Sequence, residues 1–245
     1  MTDQNIYDNQ TFFDGYQKLR ENPASANNIV EKPTLFSLLP ALQGKTIIDL
    51  GCGYGENCKE FSKLGALKVV GIDISEKMLE VAERENKLDN VQFMQLSMND
   101  LSDITEKYDI VVSSLAIHYV ENFDRLISSI HNLLTKGGSF IFSQEHPLTT
   151  ALLKEDYWSR DDEGNILHYN LTGYSLLGER KIKWFIDDVK VYHRTFSSII
   201  NSMIAAGFII EKVLEPLPDE KNMEKYPKYR KYYHKPDFLL IKARS

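Results

Sequence analysis

The chain has little cysteine, little proline and no long apolar run. Its two cysteines, Cys52 and Cys58, are six positions apart, so the sequence offers neither a disulfide framework nor a zinc site with four cysteine ligands. No apolar run approaches the roughly 18 residues that a membrane span needs, and residues 1–20 lack the basic and apolar regions of a signal peptide. We therefore predict a soluble, cytoplasmic protein without a membrane partner.

Positive charge is scarce as well. The 245-residue chain carries 29 Lys and Arg against 35 Asp and Glu, a net charge of −6, which argues against a protein whose affinity comes mainly from neutralising phosphates. The deficit is uneven, because residues 1–145 hold 13 basic and 21 acidic side chains and residues 146–245 hold 16 and 14. We predict that these two parts of the chain have different tasks.

Short β-branched segments alternate with helical segments from residue 46 to residue 145. Strands are expected at residues 46–50, 68–73, 91–96, 108–113 and 139–143, and helices at about residues 56–64, after Ser75, and at residues 123–134, before the Lys136-Gly137-Gly138 turn. This alternation predicts right-handed crossovers and a Rossmann-like, doubly wound, mostly parallel α/β sheet with helices on both faces.

The alternation stops after Gln144. Residues 147–194 are too long for an ordinary connection and rich in aromatic side chains, which is typical of a lid or binding loop. Residues 195–206 predict a helix. Two strands, 207–214 and 237–243, joined by a polar loop, are expected to complete seven strands with an antiparallel edge strand. Residues 1–45 predict one or two helices, the second near residues 33–42.

Three glycines follow the first predicted strand, in the segment Asp49-Leu50-Gly51-Cys52-Gly53-Tyr54-Gly55. Glycines permit positive φ and a close approach of the backbone to a ligand, and the N-terminus of the next helix attracts an anionic group. A dinucleotide fingerprint needs glycine at position 56, where Glu56 would repel a pyrophosphate, and the Gly-Lys-Ser/Thr of a P-loop is absent. A tight strand-to-helix turn that binds no ligand is the alternative interpretation of this segment.

One further pattern, Asp/Glu-x-Gly-x-Gly-x-Gly, fits every position, and here the stretch resembles motif I of the class I S-adenosylmethionine-dependent methyltransferases. The resemblance implies that the backbone of residues 51–55 wraps the methionine part of the cofactor. It also implies that Asp49 accepts a hydrogen bond from the ammonium of that part, directly or through water. One acidic side chain in this turn is compatible with such a ligand, because the carboxylate of the ligand lies beside the ligand's own ammonium.

Four more segments match the family in order and spacing. Asp73 ends the second predicted strand, where an acid can accept both ribose hydroxyls; its alternative role is to cap the next helix, although Ser75 can do so. The stretch Ser97-Met98-Asn99-Asp100-Leu101 resembles the adenine-edge segment, with serine and methionine in place of the usual acid and small apolar residue. Residues 113–119 and the turn at residues 136–138 also resemble family motifs.

The resemblance implies a site for S-adenosylmethionine. The N-terminal segment closes over the cofactor in related enzymes, whereas packing on the sheet is the alternative for Tyr16 and Arg20. No cluster of Cys, His, Asp and Glu has metal-ligand spacing, so we expect no metal. The cofactor residues are expected to be Asp49, Gly51, Cys52, Gly53, Gly55, Asp73, Ile74, Met78, Ser97, Met98, Asn99, Ser114, Tyr16 and Arg20.

Methyl transfer from a sulfonium is an in-line displacement, so the enzyme mainly aligns the acceptor and excludes water, and a base helps only where the acceptor loses a proton. His118 is the candidate base or acceptor-orienting residue, with a histidine packed in a helical turn as the alternative. The segment 145–147 is either an acid and an imidazole at the mouth of the site or a turn fixed by proline. The acceptor residues are expected to be Tyr7, His118, Tyr119, Glu145, His146, Trp184, His193 and Arg194.

Thr195 predicts a helix N-cap, which is expected to aim His193 and Arg194 into the cleft. Arg194 would bind a carboxylate or phosphate of the acceptor, or form a surface ion pair with Asp187 or Asp188. The aromatic side chains of the insertion indicate a partly apolar acceptor, or a small core of their own.

We expect a small-molecule acceptor, because the order of the last motifs resembles the ubiquinone and methyltransferase-11 type of small-molecule enzymes. The alternatives are a nucleic-acid or protein methyltransferase and a non-catalytic cofactor-binding protein. Residues 225–235 interleave basic and aromatic side chains, as a single-strand binding surface does, but residues 113–116 lack the paired prolines of enzymes that grip a flipped base. An NAD-dependent oxidoreductase is disfavoured by Glu56.

The expected organisation is one methyltransferase domain over residues 1–245. Its parts are an N-terminal helical lid (1–45), a cofactor-binding half (46–145), a substrate-cap insertion (147–194) and a C-terminal completion of the sheet (195–245). The sequence leaves the oligomeric state open.

Overall fold

A seven-stranded sheet is the centre of the computed structural model, which describes residues 4–153 and 157–245. The strands, in chain order, are β1 (Thr46–Leu50), β2 (Lys68–Asp73), β3 (Val91–Gln95), β4 (Tyr108–Ser114), β5 (Leu134–Glu145), β6 (Trp158–Arg160), β7 (Ile166–Tyr169), β8 (Gly178–Trp184), β9 (Ile186–His193), β10 (Ile209–Leu214) and β11 (Phe238–Arg244). The spatial order in the sheet is β10-β11-β5-β4-β1-β2-β3.

Helices connect these strands. They are α1 (Gln10–Glu21), α2 (Lys32–Leu38), α3 (Glu56–Lys63), α4 (Glu76–Glu85), α5 (Phe123–Leu133), α6 (Pro147–Thr150), α7 (Phe196–Ala205) and α8 (Glu220–Lys225). A π-helical turn spans Asn27–Glu31, and 3-10 turns span Met98–Asp103, Ile117–Tyr119 and Pro227–Tyr233. The predicted caps are confirmed, because Ser75 accepts from the N–H of Met78 and Thr195 from that of Ser198.

The strand order reverses between β1 and β4, which are neighbours and pair in parallel. On one side the chain passes from β1 to β2 and β3, and on the other from β4 to β5. In open α/β sheets this reversal leaves a crevice beyond the carboxyl ends of the strands, where ligands bind. The ends of β1, β2, β4 and β5 therefore position the site.

Successive strand residues alternate between two cores, one on each face of the sheet. Ile48, Val111 and Phe140 pack with residues of α5 and α7 on one face. Ile47 and Val112 pack on the other face with residues of α2 and α3. Apolar side chains on both faces are what a parallel sheet covered by helices requires, so the predicted α/β class is confirmed.

The predicted antiparallel pairing of the last two strands is confirmed at the edge of the sheet that β10 forms. β11 runs antiparallel both to β10 and to β5, with Ile241 opposite Val213 and Phe142. The predicted polar loop between β10 and β11 is wrong. That connection contains α8 and the 3-10 turn 227–233, in which Met223, Tyr229 and Tyr232 are buried against the sheet. The spacing of these three side chains, six and then three positions, was the sign of helical structure in the sequence.

The N-terminal segment and the insertion pack against each other above the sheet. The insertion forms two hairpins, β6 with β7 and β8 with β9, and Ile6 and Phe12 share a small core with Val189 of β9. Asp8 accepts a hydrogen bond of 2.6 Å from the Ser75 hydroxyl, so residues 4–8 connect the insertion to the start of α4. No helix of the described residues is long and apolar enough to cross a membrane.

Candidate functional site

A cavity of about 840 Å³ lies beyond the carboxyl ends of β1, β2 and β4. It is lined by twelve of the predicted residues: Tyr7, Tyr16, Gly51, Gly53, Asp73, Ile74, Met78, Ser97, Met98, Asn99, Ser114 and Tyr119. We call it the cofactor cavity. Its wall therefore contains the glycine-rich turn, the acid at the end of β2 and the segment after β3, which the sequence places far apart.

The glycine-rich turn depends on the absence of side chains. Gly51 has a φ of +74°, and a Cβ there would lie 2.5 Å from the Cβ of Ala116. Gly53 has a φ of +53° and faces open space, with no heavy atom within 4 Å of an added Cβ. A ligand can thus contact the backbone of residue 53 directly.

Asp73 holds this turn in place. One carboxylate oxygen accepts from the N–H of Gly53 at 2.8 Å, and the other accepts from the N–H of Ser75 at 2.9 Å. Burial raises the pKa of this carboxyl against the effect of these backbone donors. Each oxygen has further acceptor capacity, because a carboxylate offers about four lone-pair sites. Asp73 can therefore accept from ligand hydroxyls while it orders the loop.

Asp49 lies beneath the turn and not in the cavity wall. Its side chain is 1% exposed, Oδ2 accepts from the thiol of Cys58 at 3.5 Å, and Oδ1 has no hydrogen-bond partner among the described residues. Burial raises the pKa of this carboxyl to about 7. A buried acceptor without a donor is costly, and it fits a donor that arrives with a ligand, such as the ammonium of a methionine part.

Three other predicted cofactor residues lie behind the turn. Gly55, with a φ of +74°, begins α3, and a Cβ there would lie 2.4 Å from the ring of Phe93. Cys52 is half-buried, and its backbone N–H donates to the carbonyl of Ile72. Arg20 forms an ion pair with Glu56. In the structure these three residues support the turn from outside the cavity.

A second cavity, of about 660 Å³, adjoins the first. Tyr7, Tyr16, Leu115 and Tyr119 line both cavities, so they form a shared wall. Leu115 has a φ of +51°, a conformation that costs a residue with a Cβ roughly 1–2 kcal/mol. Its N–H donates to both the carbonyl and the hydroxyl oxygen of Ser143 on β5, which fixes the strained residue between the cavities.

His118, Glu145 and Trp184 line the second cavity. His118 is 3% exposed and its Nδ1 has no hydrogen-bond partner among the described residues. Burial, together with the charge of Arg194, lowers the pKa of His118 to about 3, so its imidazole is neutral at physiological pH. Burial raises the pKa of Glu145 to about 7, although the charge of Lys235 opposes this shift.

The expected placement of His146, His193 and Arg194 in the cleft is corrected by the structure, since all three make contacts elsewhere. His146 caps α6 through Nδ1, and its Nε2 lies 2.8 Å from Glu215. His193 is fully buried between the Thr150 hydroxyl and the Tyr174 carbonyl.

Arg194 donates to the carbonyls of Val120 and Glu121, and its guanidinium stacks 4.8 Å from the ring centroid of Phe123. It forms no ion pair with Asp187 or Asp188, which pair with Lys183 and Lys181. A helix N-cap fixes only the backbone direction, so the cap signal at Thr195 could not tell which carbonyls the preceding arginine meets.

Glu31 is a buried acid at the site that sequence reasoning missed. It ends the π-helical turn, and its Oε1 accepts from the hydroxyls of Ser114 and Ser143, at 2.9 and 2.5 Å. Burial raises its pKa. The acid thus joins the carboxyl ends of β4 and β5 beside the cofactor cavity, a contact over more than 80 residues for which the sequence holds no local signal.

Lys231 and Lys235 were also missed, because their segment resembled a solvated or nucleic-acid-binding loop. Both lysines pair with Asp237, and both line the second cavity. Tyr157, Trp158 and Tyr169 complete this wall. The alternation of lysine and tyrosine in residues 225–235 thus has a structural cause: three lysines lie over the ring of the tyrosine that follows, at 5.0 to 5.4 Å from its centroid.

Among residues 4–153 and 157–245, no group of three or more His, Cys, Asp or Glu side chains is placed to hold a metal ion. The cofactor cavity suits S-adenosylmethionine through the open backbone at Gly53, the carboxylate of Asp73 and the thioether wall of Met78 and Met98.

Comparisons with known proteins agree with this geometry. The methyltransferase-domain family matches residues 42–183. An uncharacterised protein of Haemophilus influenzae is 42% identical, over 98% of this chain and 96% of its own length. The crystal structure of a putative S-adenosylmethionine-dependent methyltransferase from Listeria monocytogenes is 38% identical, with a TM-score of 0.81 over 88% of this chain and 96% of that chain.

A ribosomal protein L11 methyltransferase of Dictyoglomus turgidum is 34% identical, over 51% of this chain and 42% of its own length. The family match covers more than half of the chain, and the Listeria protein is similar to it in both sequence and fold. The chain therefore belongs to the class I S-adenosylmethionine-dependent methyltransferases, and its cofactor is S-adenosylmethionine.

Proposed function

We propose that this methyltransferase transfers the methyl group to a small molecule bound in the second cavity. The observation that carries the proposal is the shared wall, because Tyr7, Tyr16, Leu115 and Tyr119 line both cavities and so place the second cavity directly beside the first. Methyl transfer needs the nucleophile in line with the sulfonium and shielded from water.

The size and composition of the second cavity support a small acceptor. Its volume of about 660 Å³ is within the roughly 300–1,000 Å³ of small-molecule sites. Trp158, Tyr169 and Trp184 give the cavity the aromatic surface that is typical of such sites, next to eight charged side chains. More than half of the residues that line the cavity belong to the described part of the insertion.

His118 and Glu145 are the predicted imidazole and the predicted carboxyl group of this cavity. The neutral imidazole of His118 is a weak base, since its pKa is lowered to about 3 by burial, so we assign it an orienting role through the unpartnered Nδ1. Asp73 and Asn99 are proposed to hold the nucleoside part of the cofactor. The cytoplasmic location and the four-part organisation of the chain remain predictions.

The test is methyl transfer from radiolabelled S-adenosylmethionine into a cell extract that has been separated into a dialysable fraction, a protein fraction and an RNA fraction. We expect label in the dialysable fraction. Label in protein alone would favour the acceptor class named for the ribosomal protein methyltransferase, and label in RNA alone would favour nucleic acid. Isothermal titration with S-adenosylhomocysteine and with NAD provides the control for cofactor binding.

A further inference from the structure

The cationic side chains of the second cavity already have partners. The basic residues in its wall are Arg180, Lys181, Lys183, Lys231 and Lys235. The guanidinium of Arg180 donates to backbone carbonyls of residues 151, 173, 176 and 179. Each of the four lysines forms an ion pair with an aspartate. A ligand anion would have to compete with these contacts.

The acidic side chains differ in this respect. Glu145, Glu179 and Asp237 are the described acids of the wall. Glu179 pairs with Lys190 at 3.1 Å, and Asp237 pairs with both Lys231 and Lys235. Glu145 lines the cavity, and its side chain makes no hydrogen bond and no ion pair to a described residue.

Lys235 is the cation whose charge lowers the pKa of Glu145. Its ammonium donates to the Thr149 hydroxyl at 2.7 Å and to Asp237, and it lies 5.2 Å from the ring centroid of Tyr169. Because these donors are engaged, Lys235 lowers the cost of charge on Glu145 without occupying its oxygens. No described residue occupies the carboxylate oxygens of Glu145, so they can accept hydrogen bonds from a ligand.

Aromatic rings surround the same space. Trp158, Tyr169 and Trp184 line the cavity together with Tyr7, Tyr16 and Tyr119 of the shared wall. The faces of Trp and Tyr rings attract ammonium groups, and the attraction grows when water is excluded. An unpaired carboxylate among aromatic rings is a combination that suits a cation and disfavours an anion.

We propose that the acceptor carries a basic amine, and that Glu145 binds this amine among the aromatic rings of the second cavity. This inference rests on the proposed function, since it names the chemical class of the molecule that the second cavity takes. A bound ammonium would also relieve the buried carboxylate, whose pKa of about 7 shows that its charge is otherwise costly.

The two tryptophans of the chain, Trp158 and Trp184, both line this cavity. Intrinsic fluorescence therefore reports directly on its occupancy. We would titrate the full chain, saturated with S-adenosylhomocysteine, with 2-phenylethylamine, 2-phenylethanol and phenylacetate, which share a ring and differ in charge. The amine is expected to bind about tenfold more tightly than the alcohol, as for one charge-assisted hydrogen bond. Equal affinity of amine and alcohol, tighter binding of phenylacetate, or no response to the amine at millimolar concentration would each overturn the inference.

The matched variants are Glu145→Gln and Glu179→Gln. The first removes the unpaired charge and keeps the shape, so amine affinity should fall about tenfold while the affinity for 2-phenylethanol stays. The second removes an acid that is already paired, and amine affinity should stay. Loss in both variants, or in neither, contradicts the assignment to Glu145. Binding of S-adenosylhomocysteine is measured on each variant, so a misfolded protein, or failure of the cofactor assignment itself, is recognised separately.

Discussion

The two cavities share a wall but are built from different parts of the chain. The cofactor cavity is formed largely by strand ends and the turns that follow them, within residues 51–125. The second cavity draws on α1, β5, both hairpins of the insertion and the segment 231–238. The first depends on backbone conformation and short-range sequence, and the second on side chains brought together over long sequence distances. Cofactor binding is therefore expected to respond most to backbone changes, and acceptor binding to charge.

The largest effect is expected from Gly51→Ala. The added Cβ meets Ala116 at 2.5 Å, and the turn must shift to avoid it, which should weaken S-adenosylhomocysteine binding about 100-fold by titration calorimetry, from αL strain and overpacking together. Gly44→Ala is the matched control, because Gly44 has a φ of +72° with nothing within 4 Å. It should lose stability but no cofactor affinity, and equal losses of affinity in both variants would refute the steric explanation.

A smaller loss is expected from Asp73→Asn. The amide keeps the size of the side chain but exchanges one acceptor oxygen for a donor, which conflicts with the N–H groups of Gly53 and Ser75. Affinity for S-adenosylhomocysteine should fall about 10- to 30-fold, and binding of 2-phenylethanol in the second cavity should not change. The control is Asp103→Asn, because Asp103 is an exposed aspartate that does not line the cavity. If Asp73→Asn weakened the binding of both ligands equally, the two cavities would not bind their ligands independently.

The second cavity should respond to pH. A carboxyl with a pKa of about 7 is mostly protonated at pH 6 and mostly ionised at pH 8, so binding of 2-phenylethylamine should strengthen about tenfold across this range. The groups that face Glu145 are Lys235, Asp237 and Tyr119, and we expect none of them to titrate there. Glu145→Gln should abolish the dependence; a slope that persists in the variant would assign it to another group.

The smallest effect is expected for stability without ligand. The pKa of Asp49 is raised to about 7 by burial, so the folded state binds more protons than the unfolded state between the ordinary carboxyl range and pH 7. This contribution to stability is lost as pH rises through that window. Asp49→Asn should therefore raise the Tm at pH 8 by about 2–4 °C, for about 1 kcal/mol, with less gain at pH 5. A gain that does not grow with pH would contradict a buried charge.

The same contrast explains how much the sequence could predict. The strands β1 to β4, the cap at Ser75 and the glycine-rich turn follow from local spacing, and most of the twelve predicted residues in the cofactor cavity lie in these segments or shortly after them. Glu31 lies beside the cofactor cavity and Lys235 lines the second one, and both are held there by contacts that no local pattern encodes. His193 and Arg194 show the converse, because adjacency to a predicted cap placed their backbone but not their side chains.

The position of β11 has a consequence for synthesis of the chain. β11 is the strand through which β10 joins the sheet, since it pairs with β10 on one side and with β5 on the other. Until residues 238–244 have left the ribosome, the edge of β5 is unpaired along its length, although the strands before it can already be assembled. An unpaired, apolar strand edge is a site for aggregation. The nascent chain is thus most vulnerable to aggregation between the completion of β5 and the emergence of β11. About 90 residues separate these two strands, and they contain the whole insertion.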